Sequence, residues 1–82
     1  MSEATGIDIK MDEKTKELIA VGAAVAGNCI PCLEWHYKKC IEIGIPKEEI
    51  KEAIELSKMI KDVPIKKINE LAGELLSKNT KN

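Results

Sequence analysis

The chain has 82 residues, 44% apolar and 33% charged, with a formal charge of −1. That length holds one small domain with little core of its own, so a metal, a disulfide or a second subunit is expected to support it. The balanced charge argues against a nucleic-acid partner, and no apolar run approaches the roughly 18 residues that cross a bilayer. The start, MSEATGIDIK, lacks the basic-then-apolar pattern of a signal peptide, so a soluble cytoplasmic protein is the expectation.

Residues 1–11 read as a tail in which Ile7, Ile9 and Met11 alternate with polar residues, one short extended segment at most. A helical domain is expected over 12–79, with a second short tail at 80–82. Asp12 is placed to cap the first helix, with Glu13 in its first turn. After Glu17 this helix is apolar or small on every side, through Leu18, Ile19, Val21, Gly22 and a run of Ala. A helix without a polar face is buried all round. So short a chain cannot surround it alone, so other subunits are expected to help.

Gly27-Asn28 signals a turn, and Pro31 suits the first turn of the next helix, where a missing N–H costs nothing. That helix runs to Gly44. Pro46 opens a third, with Ile50, Ala53, Ile54, Ser57 and Ile60 on an i, i+3, i+4 stripe. Val63-Pro64 is expected to break it, and a fourth helix carries Ile65, Ile68, Leu71, Ala72, Leu75 and Leu76 on one face. The fold class is therefore all-α, with four helices and an antiparallel hairpin bearing the cysteines.

The chemistry concentrates in Cys29-Ile30-Pro31-Cys32-Leu33-Glu34-Trp35-His36. Two thiols separated by two residues can close a small disulfide ring, and the amide dipoles of a helix N-terminus favour the thiolate. His36 stands at i+4 from Cys32, on the same helix face, where an imidazole can take a thiol proton directly or through water. Cys40, one further turn along, reads as a buried small hydrophobe. Trp35 and Tyr37 read as packing residues beside the thiols. The rival is zinc, since Cys29, Cys32, His36 and Cys40 are all zinc-type ligands. On one helix, however, Cys32 and Cys40 lie about 12 Å apart along the axis, too far for a single ion. No metal and no cofactor is therefore expected, with a three-ligand or intersubunit zinc site as the alternative.

Glu17, eleven residues, Cys29-x-x-Cys32, three residues, His36: this pattern resembles the alkylhydroperoxidase D-like and carboxymuconolactone decarboxylase-like helical domains. The turn Gly44-Ile45-Pro46-Lys47-Glu48-Glu49-Ile50 matches them too, and the similarity covers roughly residues 11–62. The resemblance implies a homo-oligomer, trimeric or hexameric, and an antioxidant thiol oxidoreductase. Its Cys29–Cys32 pair would cycle between dithiol and disulfide against a peroxide or a protein disulfide. A peroxiredoxin and a dithiol reductant are the partners it suggests. Cys32 would attack and Cys29 resolve, although the order familiar from thioredoxins would give the attack to Cys29. Glu17 would orient or polarise His36. In a tight hairpin turning near residue 28, Glu17 falls level with about residue 40, one turn of about 5.4 Å beyond His36. A looser turn, a water or a Glu17 from another subunit would close that gap. The rival enzyme is a lactone decarboxylase using His36 as base. Family members of that kind lack the cysteine pair, which disfavours it here.

Overall fold

A computed structural model describes residues 9–78. Ile7 and most of the N-terminal tail lie outside those residues, as does the 80–82 tail. The described chain is helical: α1 (Glu13–Ala26), α2 (Ile30–Glu42) and α3 (Lys47–Lys78). No helix among them is long and apolar enough to cross a membrane.

Local chemistry sets the ends of the first two helices. Asp12 is the N-cap of α1, and its carboxylate accepts the backbone N–H of Thr15 at 2.7 Å. At the other end Gly27 N–H donates to the Ala23 carbonyl, and Asn28 takes a left-handed φ of 58° that turns the chain. Cys29 is the N-cap of α2, with Pro31 in its first turn. Gly44, at φ 87°, ends α2. Pro46 then offers its carbonyl to the N–H groups of Glu49 and Ile50, which starts α3.

The expected break at Val63-Pro64 does not occur. One helix of 32 residues runs through Pro64, so the described chain has three helices and not four. The helices that do stop end on a left-handed residue, Asn28 or Gly44, and residues 61–67 (KDVPIKK) offer none. Pro64 removes one intrahelical hydrogen bond, but the carbonyl it orphans is that of Ile60, whose side chain is exposed and whose surroundings are wet. Water can serve that carbonyl without ending the helix.

α1 and α2 form an antiparallel hairpin, and α3 runs alongside α1 in the same direction. Two ties mark that register. Lys14 pairs with Glu49 at 2.6 Å at one end, and Lys61 Nζ reaches the Val25 carbonyl at 3.0 Å at the other. The core between the helices is small: Val21, Cys40, Ile45 and Ile50, with Leu18, Leu33, Tyr37, Ile43 and Ile54 packed around it. α1 is not enclosed by its own chain. Ile19 is 55% exposed, and Ala23 and Ala26 also face outward. Beyond Lys61 every residue of α3 is exposed, so the molecule measures 59 × 30 × 21 Å.

Gly22 sets the approach of α3 to α1. A Cβ there would lie 2.6 Å from Oγ of Ser57, which donates to the Ala53 carbonyl at 2.8 Å, but 3.9 Å from the Ser57 Cβ. Gly22→Ala made in a Ser57→Ala background should therefore gain the usual helical benefit of about 0.5–1 kcal/mol. In the parent chain the same change should gain less or destabilise, and a double-mutant cycle by denaturant unfolding measures the difference. A second expectation concerns pH. The Thr15 N–H, and then the Thr15 side chain, hold the Asp12 carboxyl below its ordinary 3.8. A depressed carboxyl stabilises the fold above its unfolded pKa, and that contribution is lost as pH falls through the folded one. Asp12→Ala should therefore lower the melting temperature at neutral pH, and the gap between variant and parent should close in titrations carried well below pH 3.8.

Candidate functional site

The site lies at the turn of the hairpin and in the layer just beneath it. The turn Gly27-Asn28-Cys29 is held to α1 by three backbone bonds: Gly27 N–H to Ala23, Asn28 N–H to Val25 and Cys29 N–H to Ala24. This places Cys29 as the first residue outside α2. Its sulfur accepts the N–H of Cys32 at 3.3 Å, a sulfur in the role that an oxygen plays in most helix caps. Cys29 and Cys32 are joined as a disulfide, with Cα atoms 5.2 Å apart. Both residues are half-buried. The exposed Ile30 and Pro31 cover the loop between them.

One turn along α2, His36 is 6% exposed. Its Nδ1 is 2.6 Å from Oε1 of Glu17, which is 2% exposed. The Trp35 indole stands edge-on to the imidazole, ring centres 4.8 Å apart. The gap anticipated between Glu17 and His36 is closed within one chain, with neither a water nor a second subunit. The two side chains meet directly at 2.6 Å. The carboxylate is also felt by Cys40: burial first, and then the Glu17 charge, push that thiol above its usual range. Cys40 is wholly buried in the core.

A carboxylate cannot donate a hydrogen bond, so in the bond to Glu17 the donor is Nδ1, and whenever the ring is neutral Nε2 is the free base. By helix geometry that ring shares a face with Cys32, four residues before it. The four residues singled out by spacing thus form two joined pairs, Cys29 with Cys32 and Glu17 with His36. They do not form a ligand set. Among the described residues no three His, Cys, Asp or Glu side chains converge on a point where a metal ion would sit.

Lys61 is a participant that sequence reasoning passed over. Its Nζ donates to the Val25 carbonyl at 3.0 Å and to Oδ1 of Asn28, clasping the last turn of α1 and the residue before Cys29. A signal was available: Lys61 falls in the i, i+3, i+4 register of Ile50, Ile54 and Ser57, so a charge interrupts a core stripe. A lysine there must find acceptors, and the orphan carbonyls at the end of a helix are the nearest.

The chain is similar to known proteins. The model of the carboxymuconolactone decarboxylase family matches residues 1–67. A protein from Paracoccus denitrificans, described as uncharacterized protein 4 in cox locus, is 39% identical over 54 residues, which are 66% of this chain and 49% of that protein. The chain thus spans about half the length of that relative. No solved structure matches. The helical hairpin, its paired cysteines and the match over most of its length make this chain a member of the carboxymuconolactone decarboxylase family.

Proposed function

We propose that the protein is a thiol-dependent oxidoreductase of the alkylhydroperoxidase D type, a hydroperoxidase or disulfide reductase that cycles Cys29 and Cys32 between dithiol and disulfide. The observation that carries this reading is the buried Glu17–His36 bond one helical turn below a half-exposed cysteine pair. A plain core needs neither a buried carboxylate nor a buried imidazole, and each is tolerated here because the other is present.

The reduced enzyme begins with His36 Nε2 taking the proton of the Cys32 thiol, while Glu17 steadies the imidazolium that results. The Cys32 thiolate attacks the terminal peroxide oxygen and the O–O bond breaks. Cys32 becomes a sulfenic acid, and the departing alkoxide takes the proton from His36 to leave as alcohol. Cys29, whose sulfur accepts the Cys32 N–H in the disulfide, attacks the sulfenic sulfur. The disulfide forms and hydroxide leaves as water, taking up the proton released by Cys29. The sum is dithiol plus hydroperoxide to disulfide plus alcohol plus water. An external dithiol restores the pair by two exchange steps. With a peroxiredoxin disulfide in place of the peroxide, the same two thiols deliver the same two electrons by exchange alone.

The enzyme is proposed to act as a homo-oligomer, trimeric or hexameric, which the exposed Ile19, Ala23 and Ala26 of α1 support. The cytoplasm, with its dithiol reductants, suits this chemistry.

Peroxide-dependent oxidation of a dithiol by purified protein tests the reading. Cys32→Ser should abolish turnover, and undiminished turnover would remove Cys32 as nucleophile. His36→Ala should lower the rate by about 10²-fold or more. Glu17→Gln should retain part of it, whereas Cys40→Ala should leave it unchanged. Turnover of a lactone that survives full alkylation of the cysteines would favour the decarboxylase reading, with His36 as base.

A further inference from the structure

α3 uses one face twice. Over its first half Ile50, Ile54, Ser57 and Lys61 fall on a single stripe that packs toward the hairpin. α1 ends at Ala26, opposite Lys61, and the stripe continues beyond it through Pro64, Ile68, Leu71 and Leu75, flanked by Ile65 and Ala72. No described residue covers that continuation. Ile68 is 59% exposed, Leu71 48% and Leu75 50%. The match to the family model ends at residue 67, within this stripe.

The charges beside the stripe indicate what covers it. Taking Ile68 and Leu75 as a positions and Pro64 and Leu71 as d positions of a heptad, Lys67 and Glu74 fall at successive g positions. Neither has an ion-pair partner among the described residues. In a parallel pair each g position faces an e position, and the e positions here are the apolar Ile65 and Ala72. In an antiparallel pair g faces g, so Lys67 meets Glu74 of the other helix, and the two-fold axis repeats the contact. We infer that the second half of α3 docks against the same segment of a second copy, antiparallel, about a two-fold axis near Asn69 and Glu70.

The pairing rests on the oligomeric part of the function proposed above and narrows it. A two-fold contact is self-complementary, so the assembly holds an even number of chains, a hexamer built from trimers rather than a trimer. It also reaches the site. With the axis near residue 70, the last turn of the second copy's α3 arrives level with Lys61, end-on to Gly27 and Asn28. The partner helix then occupies the space beyond the end of α1, beside the cysteine turn.

Sedimentation of the full chain and of four variants tests this. The wild-type protein should form an even-numbered assembly, and Ile68→Asp with Leu71→Asp should reduce it to half that number. Lys67→Glu alone and Glu74→Lys alone each set like charges together twice. Each should raise the dissociation constant about tenfold at low salt, and the double charge swap should restore it. The restoration is the result that a merely frayed or generally sticky helix does not give. An odd-numbered assembly, charge variants that associate like wild type, or a double swap as weak as the single ones would each overturn the pairing and leave the oligomeric enzyme standing. A monomer at micromolar concentration would overturn both.

Discussion

The hydrogen bond between Glu17 and His36 is the constraint from which the rest of the molecule follows. It joins the two arms of the hairpin inside a core that has few other atoms to hold them. Each partner is a group that costs free energy to bury, and each is tolerable only because the other is there. Removing either leaves a buried polar group unmatched, a penalty of about 1–3 kcal/mol in a domain with little stability to spare. The same bond decides which imidazole nitrogen carries the proton. Structure and chemistry therefore rest on one contact, and a conservative change at Glu17 disturbs both.

The cysteine pair depends on a second device, the way α1 ends. Asn28 takes a left-handed conformation, the three N–H groups that follow Ala26 return to α1 carbonyls, and Lys61 closes the turn from outside. Cys29 is thereby fixed at the mouth of α2, with its sulfur where a cap belongs. The lysine also sets a positive charge at the negative end of the α1 dipole, close in sequence and space to the pair. α3 is in this sense more than a strut, because its midpoint holds the loop that presents the sulfurs.

Much of this was legible beforehand, and for physical reasons. Asp12, Pro31 and Gly44 announce their roles because capping and turn chemistry are local, settled by a few atoms within a few residues. The cysteine and histidine spacing is legible because helical periodicity converts it directly into a shared face. Three things were not. Pro64 reads as a break, yet a proline on a wet helix loses only one hydrogen bond, and the segment lacks the left-handed residue that follows the other two helices. Glu17 reads as one turn out of register with His36, because counting residues along two rods places backbones and says nothing of how far a glutamate reaches. Lys61 belongs with these: its acceptors lie 33 and 36 residues away in sequence, and only the packed helices bring them together.

A small core, an apolar first helix and a long bare third helix all support the proposal that copies of the chain complete its fold, with the half-buried cysteine pair at the helix turn. The proton on the imidazole is the point at which the account is most directly exposed. There is one histidine in the chain, so a long-range proton–nitrogen spectrum of the ring needs no assignment. With the disulfide formed and the ring neutral, the account predicts a protonated Nδ1 and a bare Nε2. A spectrum showing the proton on Nε2 would contradict it, since the ring's bare nitrogen would then be Nδ1, the one that Glu17 engages.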